Sequence, residues 1–309
     1  MSEAINHFAC PAKVNLALSV GKPQPDGLHP ISSWMVRVSL HDDLLLRPLG
    51  PNGEPATAHQ PSIVKGDPAD DLKIEWSPDA LLPTPIDWPA EKDLAVRAHA
   101  LIERHVGRKL PLQGQLRKRI PVGAGLAGGS SDGATMLRAV DELFQLNLPD
   151  DVLRKLAGEL GSDLAFFLGE PSAIISGTGD KLEPMPLRRP LHLVLILPAL
   201  QCNTGAVYRA FDKLAPDAAL AEQRVRQAAS ASAVTDDSLF NDLAEAAMHV
   251  EPSLREVHFW CEQAADRPVH VTGSGAGMFV LAEDAEEAGQ LSEQLRREAR
   301  VAALAVRTP

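Results

Sequence analysis

The chain has 309 residues, of which 45% are hydrophobic and 23% charged, and its formal net charge is −11. This balance is typical of a globular protein whose length suits one large domain or two of ordinary size. The negative charge and the 4% aromatic content argue against nucleic acid and anionic lipid as partners, because basic blocks and broad stacking surfaces are missing. A small anionic substrate stays open, since a local cluster of backbone N–H groups binds phosphate even in an acidic protein.

The three cysteines, Cys10, Cys202 and Cys261, are widely spaced and form no CxxC or Cys/His metal motif. Reduced, packed thiols in a cytoplasmic protein are therefore expected. The first ten residues lack the basic flank and apolar run of a signal peptide. The longest apolar stretch, residues 191–200, has about half the length needed to cross a bilayer and predicts a buried strand.

The first part of the chain alternates between strand and helix patterns. Residues 50–89, rich in Pro, Asp and Gly, indicate an irregular surface insertion with one short strand. The predicted elements are strands over 11–20, 34–46, 72–76 and 112–122, a helix over 93–106 that stops at Gly107, a helix marked by apolar residues 136–144, and a helix capped by Asp150 that ends at Gly161.

A second domain is predicted to begin near residue 189, so that the domains span 1–188 and 189–309. Residues 228–233 are expected to form a loop or a weak helix. The other predicted elements of this half are strands over 191–197, 270–272 and 278–282 and helices over 205–214, 241–249, 253–265 and 285–297.

Residues 121–135 read PVGAGLAGGSSDGAT, a glycine-rich loop that leads from a strand into a helix. Glycine lets several backbone N–H groups face an anion, and a helix N-terminus adds unpaired N–H groups and partial positive charge. Paired serine hydroxyls can bind phosphate oxygens. The candidate ATP-binding residues are Pro121, Val122, Gly123, Ala124, Gly125, Leu126, Ala127, Gly128, Gly129, Ser130 and Ser131.

Other interpretations of this loop are weaker. Gly123, Gly125 and Gly128 match the dinucleotide fingerprint GxGxxG, but the preceding residues are charged, unlike a buried parallel strand. A Walker A loop needs a lysine after the glycines, and the protein-kinase motifs HRD and DFG are absent from the sequence. A purely structural glycine turn stays open, although four glycines rarely combine with paired serines at a helix start.

The loop resembles the phosphate-binding motif of the GHMP kinase superfamily. PAKVNL at residues 11–16 and VTGSGAGMFVL at residues 271–281 match two further blocks in order. Within the superfamily the chain looks most similar to the 4-diphosphocytidyl-2-C-methyl-D-erythritol kinase family, on residues 11–31, 118–137, LGSDLAFFL at 160–168, TGAVYRAFD at 204–212 and FNDLAE at 240–245. The resemblance spans most of the chain except residues 48–90 and 215–235.

The resemblance implies a catalytic pair, with Asp163 orienting or deprotonating the acceptor hydroxyl and Lys13 stabilising the ionised aspartate and the developing oxyanion. Considered alone, the two residues could be a plain salt bridge, and Asp163 could be a helix N-cap. The implied cofactors are ATP and Mg²⁺. No metal ligand is assigned beyond the candidates Ser130 and Ser131.

On the substrate side the resemblance implies Asn15, His29, Thr204 and Tyr208, with His29 hydrogen-bonding a cytosine and Tyr208 stacking on it. Considered alone, His29 is a turn residue and Tyr208 a core aromatic. Residues 273–275 would flank the site. The family's Gly-Tyr-His is Gly-Leu-His here, with Leu28 in place of the aromatic, and Asp93 stands where asparagine is typical. Losing one stacking face costs about 1–3 kcal/mol.

The resemblance implies a two-domain α+β fold, with a left-handed βαβ crossover in the N-terminal domain and a ferredoxin-like C-terminal domain. It implies phosphorylation of the 2-hydroxyl of 4-diphosphocytidyl-2-C-methyl-D-erythritol, a small-molecule substrate linked to cytidine diphosphate. Two alternatives stay open: a kinase of the same superfamily for homoserine or a sugar, and a non-catalytic nucleotide-binding regulator. A homodimer also stays open.

Overall fold

The computed structural model describes residues 5–49 and 72–309. The first part of the predicted irregular insertion, up to residue 71, lies outside the described residues. The strands within the described ranges are β1 (Asn6–Val20), β2 (Ile31–Pro48), β3 (Leu72–Trp76), β4 (Leu112–Lys118), β5 (Ser172–Gly177), β6 (Lys181–Pro184), β7 (His192–Leu197), β8 (Phe240–Asn241), β9 (His270–Val271), β10 (Met278–Ala282) and β11 (Ala302–Arg307).

Two of the helices have the ends that the sequence pattern predicts. The Asp93 carboxylate accepts a hydrogen bond from the Ala95 N–H at 2.9 Å, and Gly107 ends the same helix in the left-handed region at φ 68°. Gly161 follows the third helix. The helices are α1 (Leu94–Val106), α2 (Gly128–Leu143), α3 (Asp150–Leu160), α4 (Leu164–Leu168), α5 (Thr204–Leu214), α6 (Glu222–Ser230), α7 (Ala244–Val250), α8 (Pro252–Ala265) and α9 (Ala285–Glu298).

Several predicted boundaries were wrong. Strands β1 and β2 begin at Asn6 and Ile31, before the predicted residues 11 and 34. Strand β4 ends at Lys118 rather than at residue 122, because a side chain takes the next two backbone N–H groups, as described below. Pro149 stands at the N-cap of α3 and makes no side-chain cap, so Asp150 is the first helical residue and does not cap. Helix α7 begins after the short strand β8, not at residue 241. The segment 228–233 contains the end of α6 and the loop that follows it, which agrees with the expected loop or weak helix.

The chain folds into two compact units. Unit 1 consists of Met1–Pro11, His41–Ile120 and Gly128–Gly169, and unit 2 of Ala12–Leu40, Pro121–Ala127 and Glu170–Pro309. Strands β1 and β2 therefore contribute residues to both units. The predicted boundary between residues 188 and 189 stays a prediction.

Unit 1 combines a sheet with a group of packed helices. Strand β4 pairs in parallel with β3 and antiparallel with the second half of β2. Helix α1 connects β3 to β4, and the hand of that crossover stays a prediction. Helix α2 packs against α1 and α4, and Gly133 allows this approach, since a Cβ there would lie 3.0 Å from Leu164 Cδ2 and 3.1 Å from the Leu94 carbonyl oxygen.

Unit 2 contains a four-stranded sheet in the order β11-β7-β10-β9, with antiparallel neighbours throughout. Chain order gives this sheet a βαββαβ plan with spatial order 4-1-3-2, which is the ferredoxin-like arrangement. Helices α8 and α9 pack against each other, and α9 also packs on β7 and β11. In unit 2, β5 also pairs antiparallel with β2 and β6, and β8 pairs in parallel with β1.

The predicted α+β class is confirmed by these two units, each of which combines helices with sheet. Cys10, Cys202 and Cys261 are buried free thiols. Burial raises the pKa of each of these thiols, so they act as packed apolar groups.

Candidate active site

In unit 2, the first part of the glycine-rich loop, residues 121–127, packs by its backbone against the turn that follows β9. Gly125 has φ 70°, and a Cβ there would lie 2.4 Å from the Thr272 carbonyl oxygen. The Gly277 N–H donates to the Ala124 carbonyl oxygen at 3.2 Å, and a Cβ on Gly277 would lie 2.3 Å from that oxygen. Glycine is required at positions 125 and 277 because the two backbones nearly touch.

Lys13 is tied to this loop by hydrogen bonds. It lies on β1 and is 3% exposed. Its ammonium nitrogen donates to Asn15 Oδ1 at 2.7 Å and to the Gly125 carbonyl oxygen at 2.7 Å. Its backbone N–H donates to the Leu126 carbonyl oxygen at 3.1 Å. The structure thus places a buried cation directly against the loop predicted to hold phosphates.

Asn15 is also fixed on more than one side. Its backbone N–H donates to Thr272 Oγ1 at 2.9 Å, and its Nδ2 donates to Ser33 Oγ at 2.7 Å. The hydrogen bonds to Thr272 and Ser33 fix Asn15, and its Oδ1 in turn orients Lys13. This supporting role was not predicted from the sequence.

In unit 1, helix α2 begins at Gly128 and carries the second part of the loop motif, residues 128–131. A Cβ on Gly128 would lie 2.9 Å from Ile120 Cγ2, so glycine lets the helix start close to β4. Ser130 is partly buried. Ser131 is fully buried, and its hydroxyl oxygen has no hydrogen-bond partner within the described residues. Both hydroxyls lie in the first turn, where the helix dipole favours anions.

A buried ion triad that the sequence did not reveal supports the start of α2. The Lys118 ammonium donates to Asp42 and to Asp132, and all three side chains are buried. The other Asp42 oxygen accepts the backbone N–H groups of Arg119 and Ile120, the latter at 2.8 Å. This carboxylate ends β4 and sets the entry into the glycine-rich loop.

Ionisation within the triad is perturbed. Burial raises the pKa of Asp132 to about 8, the Lys118 charge opposes this and the Asp42 charge adds to it. Burial lowers the pKa of Lys118, but the Asp132 and Asp42 charges outweigh it, so the net shift is upward. A proton held on Asp132 makes the buried triad neutral, which a low-dielectric interior favours.

Asp163 lies in unit 1 at the N-cap position of α4, where it is partly exposed. Its carboxylate makes no capping hydrogen bond to that helix. The simple interpretation as a helix cap therefore has no support in the structure. Lys13 and Asp163 belong to different units, and the catalytic role of each stays a prediction.

Unit 2 brings together two of the predicted substrate-side residues. The ring centroids of His29 and Tyr208 are 4.9 Å apart at an interplanar angle of 48°. His29 Nε2 lies 2.7 Å from Asp212 Oδ1, and the His29 side chain is 7% exposed. Asp212 was not predicted from the sequence. The available signal was its spacing, four residues after Tyr208 on α5 and hence on the same helix face.

Thr204 contacts the turn that the resemblance places beside the site. Its hydroxyl lies 2.9 Å from Ser274 Oγ. Asn241 from the FNDLAE block donates to the carbonyl oxygens of Val271 and Gly273, at 2.9 and 2.8 Å. Asn241 is thus a further residue that shapes this turn, and its role was not predicted from the sequence.

Leu28 has one of the larger exposed apolar side chains, at 54%. It follows Gly27, whose φ of 82° forms a turn, and its N–H donates to Asp26 Oδ1 at 2.9 Å. The turn geometry that presents His29 is therefore intact without the family's aromatic residue. Asp93 is also explained, since its second oxygen accepts from Trp88 Nε1 at 3.2 Å, which an asparagine amide nitrogen could not do.

Among residues 5–49 and 72–309, no group of three or more His, Cys, Asp and Glu side chains is placed to hold a metal ion. No helix in the described part of the chain combines the length and the apolar character needed to cross a bilayer.

Similarity to known proteins accounts for this combination of a phosphate-type loop, a buried lysine and a histidine–tyrosine cluster. The GHMP kinases N terminal domain matches residues 93–170. The 4-diphosphocytidyl-2-C-methyl-D-erythritol kinase of Symbiobacterium thermophilum is 34% identical over 93% of this chain and 94% of its own length. That of Thermobifida fusca is 35% identical over 93% of this chain and 90% of its own length. The chain belongs to this kinase family.

Solved structures agree with this assignment. The crystal structure of a 4-(cytidine 5'-diphospho)-2C-methyl-D-erythritol kinase has a TM-score of 0.76 and 30% identity, covering 98% of this chain and 99% of that one. Mevalonate kinase from L. major has a TM-score of 0.67 at 16% identity, with 99% of this chain and 97% of that chain covered, and shows the fold alone. The predicted family, its GHMP kinase fold and its enzyme class are confirmed, and GHMP kinases use ATP as the phosphoryl donor.

Proposed function

We propose that this kinase transfers the γ-phosphoryl group of ATP to the 2-hydroxyl of 4-diphosphocytidyl-2-C-methyl-D-erythritol, a step of non-mevalonate isoprenoid precursor biosynthesis. The observation that carries the proposal is 34–35% identity to kinases of this name over 93% of the chain. The fold alone would not choose among acceptors, since mevalonate kinase shares it.

Residues 121–131 hold the triphosphate in this proposal. Positive φ values at Gly123 and Gly125 turn backbone groups in a way that side-chain-bearing residues rarely adopt. The first turn of α2 adds N–H groups, the helix dipole and the Ser130 hydroxyl. These groups neutralise phosphate charge without any formal positive charge in the loop itself.

Lys13 and Asp163 act on the transferred group. The acceptor oxygen forms a bond to the γ-phosphorus, the bond from that phosphorus to the β–γ bridging oxygen breaks, and ADP leaves. Asp163 orients the hydroxyl and takes its proton as the transfer proceeds, and Lys13 stabilises the negative charge. A weakly basic carboxylate suffices, because positioning and charge neutralisation dominate phosphoryl transfer.

Mg²⁺ fits the residues present only as an ion held mainly by the phosphates. No group of three or more His, Cys, Asp and Glu side chains within the described ranges is placed to hold a metal ion, whereas the buried Ser131 hydroxyl has no hydrogen-bond partner among the described residues. Magnesium sites of this kind need few protein ligands beside phosphate oxygens and water. Ser131 or Ser130 would supply one oxygen, and the ion would neutralise phosphate charge.

The cytidine end of the acceptor is assigned to unit 2. Tyr208 offers a ring for stacking, and His29 a ring nitrogen for the base edge. Thr204 and Asn15 are proposed to contact the acceptor through their polar groups, in addition to the hydrogen bonds described above. Leu28 supplies an apolar contact where the family has an aromatic ring, which predicts a lower affinity for the base.

The decisive experiment measures ADP release with ATP, Mg²⁺ and the cytidyl acceptor, and identifies the phosphorylated product by mass. Homoserine, galactose and mevalonate serve as competing acceptors in the same assay. The proposal predicts turnover with the cytidyl compound at a kcat/KM at least about a hundredfold above the others. Turnover only with another acceptor would move the chain to that activity, and nucleotide binding without ADP release would indicate a non-catalytic regulator.

A further inference from the structure

The imidazole of His29 is held by a carboxylate that no part of the phosphoryl transfer uses. Asp212 Oδ1 lies 2.7 Å from His29 Nε2. The Tyr208 ring at 4.9 Å and the Phe211 ring at 6.4 Å flank the same imidazole. No described residue forms a hydrogen bond with His29 Nδ1. One ring nitrogen is therefore fixed inside unit 2, and the other is available to a ligand.

This contact determines where the ring carries its hydrogen. An ionised carboxylate only accepts hydrogen bonds, so a neutral His29 facing Asp212 must carry its hydrogen on Nε2. Nδ1 then has a free lone pair and acts as an acceptor. The ring cannot rotate freely to exchange the two nitrogens, because its side chain is only 7% exposed.

We propose that Asp212 is the positioning residue that sets the base specificity of the acceptor site, an inference that rests on the proposed function. The edge of cytosine presents an amino group at C4, which donates to an acceptor such as Nδ1. Uracil presents a carbonyl oxygen at the same place, and two acceptors would then face each other. Asp212 thus favours amino over keto pyrimidines without touching the base.

Helix α5 carries three residues of the proposed acceptor site on one face. Thr204, Tyr208 and Asp212 follow each other at intervals of four residues and therefore lie in one row over two turns. Thr204 contacts Ser274, while Tyr208 and Asp212 both contact His29. A carboxylate needed only for stability would not have to share a face with the predicted base-stacking ring.

The test compares kcat/KM for the cytidyl acceptor with kcat/KM for the matching uridyl compound. The Asp212→Asn variant keeps the shape of the side chain, but its amide either accepts from Nε2 or donates to it, so both tautomers of His29 become accessible. We expect the ratio of kcat/KM for the cytidyl acceptor to kcat/KM for the uridyl compound to fall by about tenfold or more. The reason is that a His29 ring with hydrogen on Nδ1 donates to the keto oxygen of uracil and no longer accepts from the amino group of cytosine. The kcat for the cytidyl acceptor should stay within about twofold, because the transferred group is not involved.

Asp217→Asn is the matched control, since Asp217 is an exposed carboxylate of unit 2 that pairs with Lys22 at 3.0 Å. It should leave the preference unchanged. Folding of both variants is checked by thermal unfolding. A folded Asp212→Asn protein that keeps the full cytidyl preference overturns the inference.

A spectroscopic measurement on the unmodified protein tests the same point without any variant. Nitrogen-15 shifts of the His29 ring should show hydrogen on Nε2 and a free lone pair on Nδ1. Hydrogen on Nδ1 alone would overturn the inference. If the unmodified protein does not phosphorylate the cytidyl acceptor at all, the proposed function fails instead, whatever the tautomer.

Discussion

At the scale of single residues, Asp163 shows how a catalytic candidate differs from a structural one. It stands at the N-cap of α4, yet its side chain caps nothing, whereas Asp93 caps α1 with one oxygen and binds Trp88 with the other. The backbone of Asp163 is helical, at φ −77° and ψ −17°, whereas a capping residue has extended backbone. Its carboxylate therefore does not serve this helix, and its catalytic role stays a prediction.

The first prediction concerns Asp163→Asn. The amide keeps the shape but cannot take the acceptor proton, so kcat should fall by about a hundredfold or more. The KM for ATP should change little, because no interaction with ATP is assigned to Asp163. Steady-state kinetics measures both constants. Asp151→Asn, on the exposed first turn of α3, is the control and should retain full activity, and full activity of Asp163→Asn would reject the assignment of the base.

The second prediction restores the missing aromatic face. Leu28→Tyr should lower KM for the cytidyl acceptor by about five- to a hundredfold, because stacking on a base contributes about 1–3 kcal/mol. Leu28 is 54% exposed, so the larger ring meets no packing constraint. Leu81→Tyr, at another exposed leucine of 43%, serves as the control in the same kinetic assay. An unchanged or higher KM for Leu28→Tyr would show that Leu28 does not face the base.

At the scale of elements, the glycine-rich loop depends on close backbone contact as much as on backbone freedom. Both requirements apply at Gly125, since its φ is 70° and an added Cβ would lie 2.4 Å from the Thr272 carbonyl oxygen. Lys13 also donates to its carbonyl oxygen. A shift of Gly125 therefore moves the loop and the lysine together.

The third prediction separates these two requirements. Gly125→Ala should destabilise the protein by about 2–4 kcal/mol and raise KM for ATP, since the loop must move away from Thr272. Gly107→Ala is the matched control, because Gly107 also has a positive φ, 68°, but nothing lies within 4 Å of its added Cβ. It should cost only about 1 kcal/mol and leave KM for ATP unchanged. Urea unfolding and kinetics measure both, and equal effects of the two variants would contradict the prediction.

How much of each element could be predicted depended on whether local sequence determined it. Helices α1 and α5 follow from their apolar periodicity and caps, and β3 and β10 were predicted with their observed bounds. Helix α4 has five residues, too few to show a period. Strand β11 was missed because its alanines give little contrast between faces. The end of β4 was wrong because Asp42, about 77 residues earlier in sequence, takes the next backbone N–H groups.

Some residues of the candidate site could likewise be identified from local sequence, and others could not. The glycine-rich loop could be interpreted from local chemistry, because glycines, serines and a helix start are adjacent in sequence. Lys13, Asp163 and His29 came from family resemblance, since each considered alone has an ordinary structural explanation. Asp212 and the ion triad required the structure, because their partners lie far away along the chain.

At the scale of the whole molecule, the Lys118–Asp42–Asp132 triad links stability to pH. The two carboxylates differ in their surroundings. Both oxygens of Asp42 accept hydrogen bonds, whereas Asp132 Oδ1 has no partner among the described residues. Asp132 is therefore the group that holds the proton, in agreement with its raised pKa of about 8.

The fourth prediction follows from the sign of that shift. Unfolded Asp132 loses its proton near pH 3.8, but the folded protein holds it up to about pH 8. Between these values the folded state binds more protons, so the contribution of Asp132 to stability falls as pH rises. Asp132→Asn cannot ionise. Its unfolding free energy relative to the natural chain should therefore increase steadily from pH 5 to about 8, by at most about 1.4 kcal/mol per pH unit.

Urea unfolding of both proteins at several pH values measures this difference, and Asp151→Asn provides an exposed carboxylate whose removal should give a flat difference. A flat or falling difference for Asp132→Asn would show that Asp132 is ionised in the folded protein. The triad would then carry a net negative charge at the base of the helix proposed to bind triphosphate. Such a charge would oppose the anion, so the pH dependence of folding also tests whether α2 is suited to bind ATP.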